Sequence, residues 1–379
     1  MKQFDVAIVG LGAMGSAVAY HLAKAGQSVI GFDLGTPPHS LGSTHGESRI
    51  IREAYFEHPL YVPLVQRSFE LWEDLQETTG EQLLLRTGAV FIGADKGMLV
   101  AGSRLSADRH GLDYDLLTAK MIRKHYAALE PNDDVVGVWE PRAGILLPEK
   151  CVQAHLALAL QLGVDMHFGE PVTEWKPVDD GVMIKTEASE YKTAKIVLTP
   201  GPWMSAFLPD LALPLSVERQ VLYWFDPGEN HEAFDLRQLP IFAWEYAPDQ
   251  MFYGFPNLGT GVKVALHHQG AIADVDSIDR NVGPEETAAM RAIVGAALPS
   301  LSGPLLRTEV CMYTNTPDEH FVIDYHPDLP QVVIASACSG HGFKFAAVIG
   351  EIVSALVTEG KTQFDISPFR ISRLREGTG

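Results

Sequence analysis

Phe4-Asp-Val-Ala-Ile-Val9, Gly10-Leu-Gly12-Ala-Met-Gly15 and Ser28-Val-Ile-Gly-Phe-Asp33 are the stretches on which the fold turns. The first is short, apolar and rich in β-branched residues, so it reads as a buried strand. From Ala13 to Ala25 the residues favour a helix, with Met14, Val18 and Leu22 on one face and Gly26 placed to end it. The third stretch is a second strand closed by an acid. Strand, turn, helix and strand together span about 30 residues, the length of a dinucleotide-binding βαβ unit. Gly10 permits the tight turn, Gly12 lets the backbone approach a diphosphate, and Gly15 lets helix and strand pack closely. The diphosphate belongs at the helix N-terminus, where unpaired N–H groups favour anions. Asp33 is expected to accept hydrogen bonds from an adenosine ribose. The motif by itself leaves FAD and NAD(P) open.

Around this unit the composition sets limits. The chain has 379 residues and a mass of 41.4 kDa, which asks for two cores or one elaborated α/β fold. Hydrophobic residues make up 46% and charged residues 20%, a mixture that folds. With 29 Lys+Arg against 48 Asp+Glu, the formal charge is −19 and nucleic acid is disfavoured as a partner. The densest basic run, Arg370-Ile-Ser-Arg-Leu-Arg375, is short and stops at Glu376. Cys151, Cys311 and Cys338 show no CxxC spacing, which speaks against a disulfide scaffold and a structural zinc site. Met1-Lys-Gln-Phe-Asp5 carries no secretory pattern, and Glu376-Gly-Thr-Gly379 is no peroxisomal address. No run of about 18 apolar residues exists, so no membrane span is expected. A cytoplasmic location follows as the expectation.

Further along, a helix is expected from Leu60 to Gln76, with Leu64, Ser68, Leu71 and Leu75 on its buried face. Leu83 to Ile92 reads as paired strands around Thr87-Gly88, Cys151 to Leu160 as a helix, and Val164 to Phe168 as a strand continuing the first sheet. Lys195-Ile-Val-Leu-Thr-Pro-Gly201 is a buried strand whose Thr-x-Gly ending occurs in flavoproteins with two dinucleotide folds. Residues 216–310 carry short strands, aromatics and turns and are expected to form an antiparallel sheet. The helix Phe343–Leu356 returns the chain to the first domain, so the domains interleave. No internal repeat is visible.

Three further segments carry a resemblance. Cys311-Met-Tyr-Thr-Asn-Thr-Pro-Asp-Glu-His-Phe-Val-Ile-Asp324, Ser339-Gly-His-Gly-Phe-Lys-Phe345 and Gly42-Ser-Thr-His-Gly-Glu-Ser-Arg-Ile-Ile-Arg52, with the N-terminal fingerprint, closely resemble the monomeric sarcosine oxidase / N-methyltryptophan oxidase family over nearly the whole chain. The resemblance implies an α/β (α+β overall) protein with a two-dinucleotide-binding Rossmann-type FAD domain, residues 1–82, 147–215 and 311–379. An antiparallel-sheet substrate domain, residues 83–146 and 216–310, is interleaved with it. It implies FAD bound covalently through a Cys311 thioether, a monomer, and a secondary amino acid and O₂ as the small-molecule partners. Gly340, His341, Gly342 and Lys344 match the loop around the flavin, and Ser43, Thr44 and Val172 are placed at the cofactor with them. Arg52 and Lys344 match the pair that holds the substrate carboxylate. Arg49 matches an arginine beside the flavin ring, Lys263 the oxygen-activating lysine and His267 a substrate-site histidine. Tyr253 and Tyr313 match cavity tyrosines. Thr44 stands where the family has the first of two adjacent histidines, Gly-Ser-Thr-His replacing its usual Gly-Ser-His-His. The stretch before Tyr253, with Trp244-Glu245, is where substrate size is expected to be decided.

The residues also have plainer readings. Most free cysteines are buried and inert, and Cys151 and Cys338 are read so. Alternation along Val262-Lys-Val264 alone would turn Lys263 to solvent, and His267 could be a structural histidine. Arg52 follows two isoleucines and Lys344 lies between Phe343 and Phe345, so burial and an anionic partner are expected for both. Asp318-Glu-His320 is read as a structural turn. The expected reaction is oxidation of a neutral secondary amine such as sarcosine, N-methyltryptophan, pipecolate or proline to an imine, with H₂O₂ as coproduct. A dehydrogenase using another acceptor and a non-catalytic flavin subunit are the alternatives. NAD dependence is disfavoured by Cys311, Thr-x-Gly and Gly-His-Gly.

Overall fold

Phe4–Val9 lies inside an eight-stranded sheet, paired in parallel with Val29–Asp33 on one side and Glu190–Leu198 on the other. In this computed structural model, residues 4–375 are described; residues 1–3 and 376–379, within the termini read for targeting signals, lie outside them. Val6 and Ile8 enter one apolar core and Phe4, Ala7 and Val9 another. Burial on both faces is what a parallel sheet demands, and it explains why the strand reads as a continuous apolar run. Asp165–Phe168 extends the sheet beyond Val29–Asp33 in parallel, as expected. Leu329–Ser336 joins Glu190–Leu198 in parallel and pairs antiparallel with Val322–His326. Val172–Val178 and Gly181–Thr186 complete the other end as antiparallel strands.

The first helix, Ala13–Lys24, packs against Pro148–Gln161 and Ala346–Glu359. Its start is fixed by steric need. A Cβ on Gly15 would lie 1.8 Å from the Gly10 carbonyl oxygen, and Gly10, at φ +88°, lies against the Thr199 backbone. The Thr199 hydroxyl donates to the Val9 and Gly10 carbonyls at 3.1 and 2.8 Å. The Thr-Pro-Gly segment thus braces the glycine turn from the neighbouring strand.

The second large sheet also has eight strands, in the order Leu305–Asn315, Ser216–Phe225, Val262–His267, Gln250–Gly254, Ile241–Ala247, Ala89–Gly93, Val136–Glu140 and Asp115–Thr118. It is antiparallel except where Ile241–Ala247 meets Ala89–Gly93 in parallel. The strand Leu305–Asn315 runs unbroken through residue 311, so Cys311 stands on this sheet, and a boundary at 311 falls within one strand.

One expectation is corrected. Leu84–Arg86 and Ala89–Gly93 do not pair around Thr87-Gly88. The former joins a three-stranded sheet with Gly144–Leu146 and Arg49–Ile51, and the latter joins the large sheet. Gly88, at φ +66°, donates its N–H to the Ala143 carbonyl and lies against the Trp139 ring. That conformation carries the chain from one sheet to another instead of folding it back. A 3₁₀ turn, Pro59–Tyr61, leads into the helix Val62–Thr79, and a second, Phe343–Phe345, leads into Ala346–Glu359. Among the described residues no helix is long and apolar enough to cross a membrane.

Candidate active site

A cavity of about 560 Å³ runs from the glycine turn of the first sheet to the face of the second. Gly10, Gly12, Asp33, Thr199 and Val172 line one end. An added Cβ on Gly12 would meet only the Thr44 hydroxyl, at 3.6 Å, so the backbone there is open to a ligand. The Asp33 carboxylate is buried and oriented: Oδ2 accepts from the Leu11 N–H at 2.8 Å, and Oδ1 from the Gly35 N–H at 2.9 Å and His39 Nε2 at 2.9 Å. A glycine turn, the start of a helix and a fixed carboxylate along one elongated cavity suit a dinucleotide. His39, six residues beyond Asp33 in a Pro-rich loop, has no sequence signal of its own.

Midway along the cavity stand Cys311, Ser43, Thr44 and Arg49. The Cys311 sulfur is 3.6 Å from the Ser43 carbonyl and 3.7 Å from Arg49 Nη2. Arg49 donates to the Ser43 and Ser48 carbonyls, both at 2.9 Å. This puts a fixed positive charge against the sulfur. Lys263 is buried at 2% exposure, against what the alternation of its strand suggests. Its strand lies inside the large sheet with both faces covered. Nζ donates to the Gly46 carbonyl at 2.6 Å, the Ser48 carbonyl at 3.0 Å and the Ser48 hydroxyl at 3.2 Å. Burial, and then the nearby Arg49 charge, push the Lys263 ammonium well below its ordinary range. Lys263 does not line the cavity: it lies behind the segment 46–49.

Beyond it the cavity is walled by Arg52, Lys344, Tyr253, Tyr313 and His267, with Gly340, His341 and Gly342 alongside. Arg52 is buried, and its expected anionic partner proves to be Glu57, at 2.5 Å from Nη2. Nη1 donates to the Ala54 carbonyl at 3.1 Å, and the guanidinium lies 4.2 and 4.4 Å from the Tyr55 and Phe56 ring centres. Burial acts to raise the Glu57 carboxyl, but Arg52, His341 and Lys344 outweigh it and hold it at about 2. Glu140, at the end of Val136–Glu140, accepts from the N–H groups of Glu53 at 2.5 Å and Ala54 at 3.0 Å, fixing the segment after Arg52. Burial pushes Glu140 up to about 7. Burial, then Arg52, pushes Lys344 down to about 7. The Ser68 hydroxyl and Trp72 indole anchor the Lys344 carbonyl at 2.7 and 2.9 Å. Glu57 and Glu140 escape sequence reasoning, because acids five and 88 residues from Arg52 carry no spacing signal.

His267 is held neutral by burial and the adjoining His268, and its Nδ1 is 3.4 Å from the Tyr313 hydroxyl. Trp244 and Glu245 do not face the substrate end. Trp244 packs into the core behind the sheet, and Glu245 accepts from the Met98 and Leu99 N–H groups at the start of the helix Met98–His110. Alternation turns Ala243 to the cavity instead, opposite Tyr253 in register, with Met251 beside them. Asp318 caps its own turn through Thr316 and the His320 N–H and pairs with Arg373 at 2.8 Å. No group that could hold a metal ion occurs among the described residues. Burial pushes the thiols of Cys151 and Cys338 up. Of the residues assigned to the site from sequence, all but Gly15 and Lys263 line this one cavity.

A family model described as FAD dependent oxidoreductase matches residues 5–356. A monomeric sarcosine oxidase of Streptomyces avermitilis is 43% identical over 375 residues, covering 98% of both chains. An N-methyl-L-tryptophan oxidase of Yersinia pestis is 33% identical, covering 98% of this chain and 100% of the relative. Among solved structures, NikD, an unusual amino acid oxidase of nikkomycin biosynthesis, superposes with a TM-score of 0.85 at 23% identity over 98% of each chain. L-proline dehydrogenase from P. horikoshii superposes with 0.87 at 21% over 99% of each. At those identities the likeness is one of fold.

The Arg52–Glu57 pair makes a pH prediction. Glu57 is held below its unfolded value of 4.5, so its stabilising contribution is present above about pH 4.5 and lost as pH falls towards about 2. Denaturant unfolding across this window should show the loss in wild type and a flatter acid limb in Glu57→Gln.

Proposed function

The chain belongs to the FAD-dependent oxidoreductase family, and from that premise we propose that it oxidises small N-methyl or cyclic secondary amino acids, with O₂ as the electron acceptor. The observation that carries this reading is the pair of buried cations, Arg52 and Lys344, at the far end of a dinucleotide-shaped cavity. A guanidinium and an ammonium converging on one site bind a carboxylate, the first bidentately and the second as a point charge. Bound FAD supplies the chemistry the side chains lack, accepting two electrons from the substrate and returning them to O₂ as H₂O₂. Tyr253, Tyr313 and the neutral His267 form a half-apolar wall against which the N-alkyl group packs. That environment favours the uncharged amine, whose lone pair is needed when the adjacent C–H bond breaks. The imine product hydrolyses in water; from sarcosine it yields glycine and formaldehyde. The relatives' names support sarcosine-like substrates and a monomer.

Cys311 is the residue we assign to a covalent thioether with the cofactor. Its burial on the cavity wall and the Arg49 charge beside it support this. Lys263, next to Arg49, adds positive charge where O₂ takes up electrons, and Gly10, Gly12, Gly15, Asp33, Ser43, Thr44, Val172 and the 340–344 loop hold the cofactor. We assign residues 1–82, 147–215 and 311–379 to the cofactor-binding part and 83–146 and 216–310 to the substrate part, with Leu305–Asn315 shared between them. A cytoplasmic enzyme completes the reading.

Peroxide release from sarcosine, other N-methyl amino acids and cyclic imino acids tests the function. At least one should give peroxide, its methyl ester should be a poor substrate, and Arg52→Ala should lose roughly 10- to 150-fold in kcat/KM. Esters that turn over like free acids would sink the carboxylate clamp. For the linkage, acid-denatured wild type should keep its flavin, Cys311→Ser should release it, and Cys338→Ser should behave as wild type. For Lys263, stopped-flow separation of the half-reactions should show Lys263→Met slowed about 10²–10³-fold in reaction with O₂ and far less in anaerobic reduction. Because the Lys263 ammonium titrates below 10.5, the wild-type O₂ reaction should slow as pH rises through that lowered value, and the variant's should not.

A further inference from the structure

The carboxylate-binding lysine is held by a hydrogen-bond chain whose direction is fixed at its far end. His341 Nε2 lies 3.0 Å from the Glu319 carbonyl oxygen. A carbonyl only accepts, so Nε2 carries the proton. The ring is 5% exposed and packed on Phe321, Tyr55 and Tyr61, and burial first of all holds it neutral. A neutral imidazole has one N–H, so Nδ1 is an acceptor. The Tyr55 hydroxyl, 2.6 Å from Nδ1, must then donate to it. Its oxygen is left to accept from Lys344 Nζ at 3.3 Å. The chain therefore runs from Lys344 through Tyr55 and His341 to the Glu319 carbonyl. A second Lys344 proton goes to the His341 carbonyl at 2.8 Å. Of the three ammonium protons one remains for the cavity that Lys344 lines. Tyr55 also carries the Arg52 guanidinium over its ring at 4.2 Å, so one side chain spaces both cations.

We propose that Tyr55 and His341 are positioning residues for carboxylate recognition: their one-way chain holds Lys344 with a single N–H available to the substrate. The proposal rests on the reading of Arg52 and Lys344 as the carboxylate clamp. Reversal of the chain would set a bare Nε2 against the Glu319 carbonyl oxygen and the Tyr55 proton against a Lys344 proton, and removal of the Tyr55 hydroxyl leaves His341 Nδ1 buried without a donor and frees Lys344 to turn.

The flavin-loaded enzyme is titrated with acetate and with neutral acetamide, and binding is followed by the flavin absorbance change. Tyr55→Phe and His341→Leu should weaken acetate about 10-fold, the loss of one charge-assisted hydrogen bond. His341→Asn, whose side-chain oxygen can replace Nδ1 as acceptor, should stay within about threefold of wild type. Acetamide should bind alike in all of them. Wild-type acetate affinity in Tyr55→Phe, equal losses in His341→Asn and His341→Leu, or parallel losses for acetamide would overturn the proposal. Histidine nitrogen NMR of wild type, which needs no variant to fold, should show His341 as the neutral Nε2–H tautomer; an Nδ1–H tautomer or an imidazolium would also overturn it. Wild type that ignores acetate would bring down the clamp and this proposal together. Wild type that binds acetate beside an unaffected Tyr55→Phe would bring down only the proposal.

Discussion

Burial of positive charge along one cavity is the constraint around which the site is arranged. Arg49, Arg52 and Lys344 line it, with Lys263 behind the segment 46–49, in a chain whose formal charge is −19. An ammonium or guanidinium out of water must be matched by acceptors or it destabilises the fold. Here the acceptors are mostly neutral: the carbonyls of Ser43, Gly46, Ser48, Ala54 and His341 and the hydroxyls of Ser48 and Tyr55. Glu57 supplies a full negative charge to Arg52. Carbonyl dipoles orient these cations without supplying a counter-charge, and burial accordingly pushes the Lys263 and Lys344 ammonium groups down.

The backbone around Arg52 follows from the same need. Arg52 opens a turn whose N–H groups are held by Glu140, at the end of an inner strand of the large sheet, and whose Ala54 carbonyl returns to Arg52. Burial raises the Glu140 carboxyl to about 7 against the pull of its two backbone N–H donors. Removing one partner of the buried Arg52–Glu57 pair costs about 3–5 kcal/mol, because the other is left uncompensated. The three-stranded sheet that carries Arg49 and the large sheet that carries Glu140 and Lys263 are therefore locked together through the site itself.

The two large sheets divide the work by geometry. The parallel sheet offers a glycine turn and a helix start at the ends of its strands, where such sheets bind ligands. The mainly antiparallel sheet presents one face, so alternate residues such as Ala243, Tyr253 and His267 reach the cavity while their neighbours fill the core. The ends of the parallel strands and the face of the mainly antiparallel sheet thus wall one continuous cavity.

What the sequence determined by itself is local and periodic. The βαβ fingerprint, the parallel strand after it and the helix returning the chain follow from apolar runs and glycine spacing within about 30 residues. The resemblance of the Cys311, Gly340–Lys344 and Gly42–Arg52 segments located most of the cavity wall by type. Tertiary structure decided whatever depends on residues far apart. Alternation alone sent Lys263 to solvent, whereas a second covered face buries it. Gly88 sends adjacent strands to different sheets because Trp139 and Ala143, some fifty residues on, occupy the place where a hairpin would close. The stretch around Trp244-Glu245 was legible as bearing on the cavity, but that Ala243 and not Trp244 reaches it was not, because the pleat's phase relative to the cavity is set by pairing with other strands. The partners Glu57, Glu140, Tyr55 and His39 likewise stayed hidden. A charge in sequence states a need for compensation, but which atom meets it depends on three-dimensional proximity.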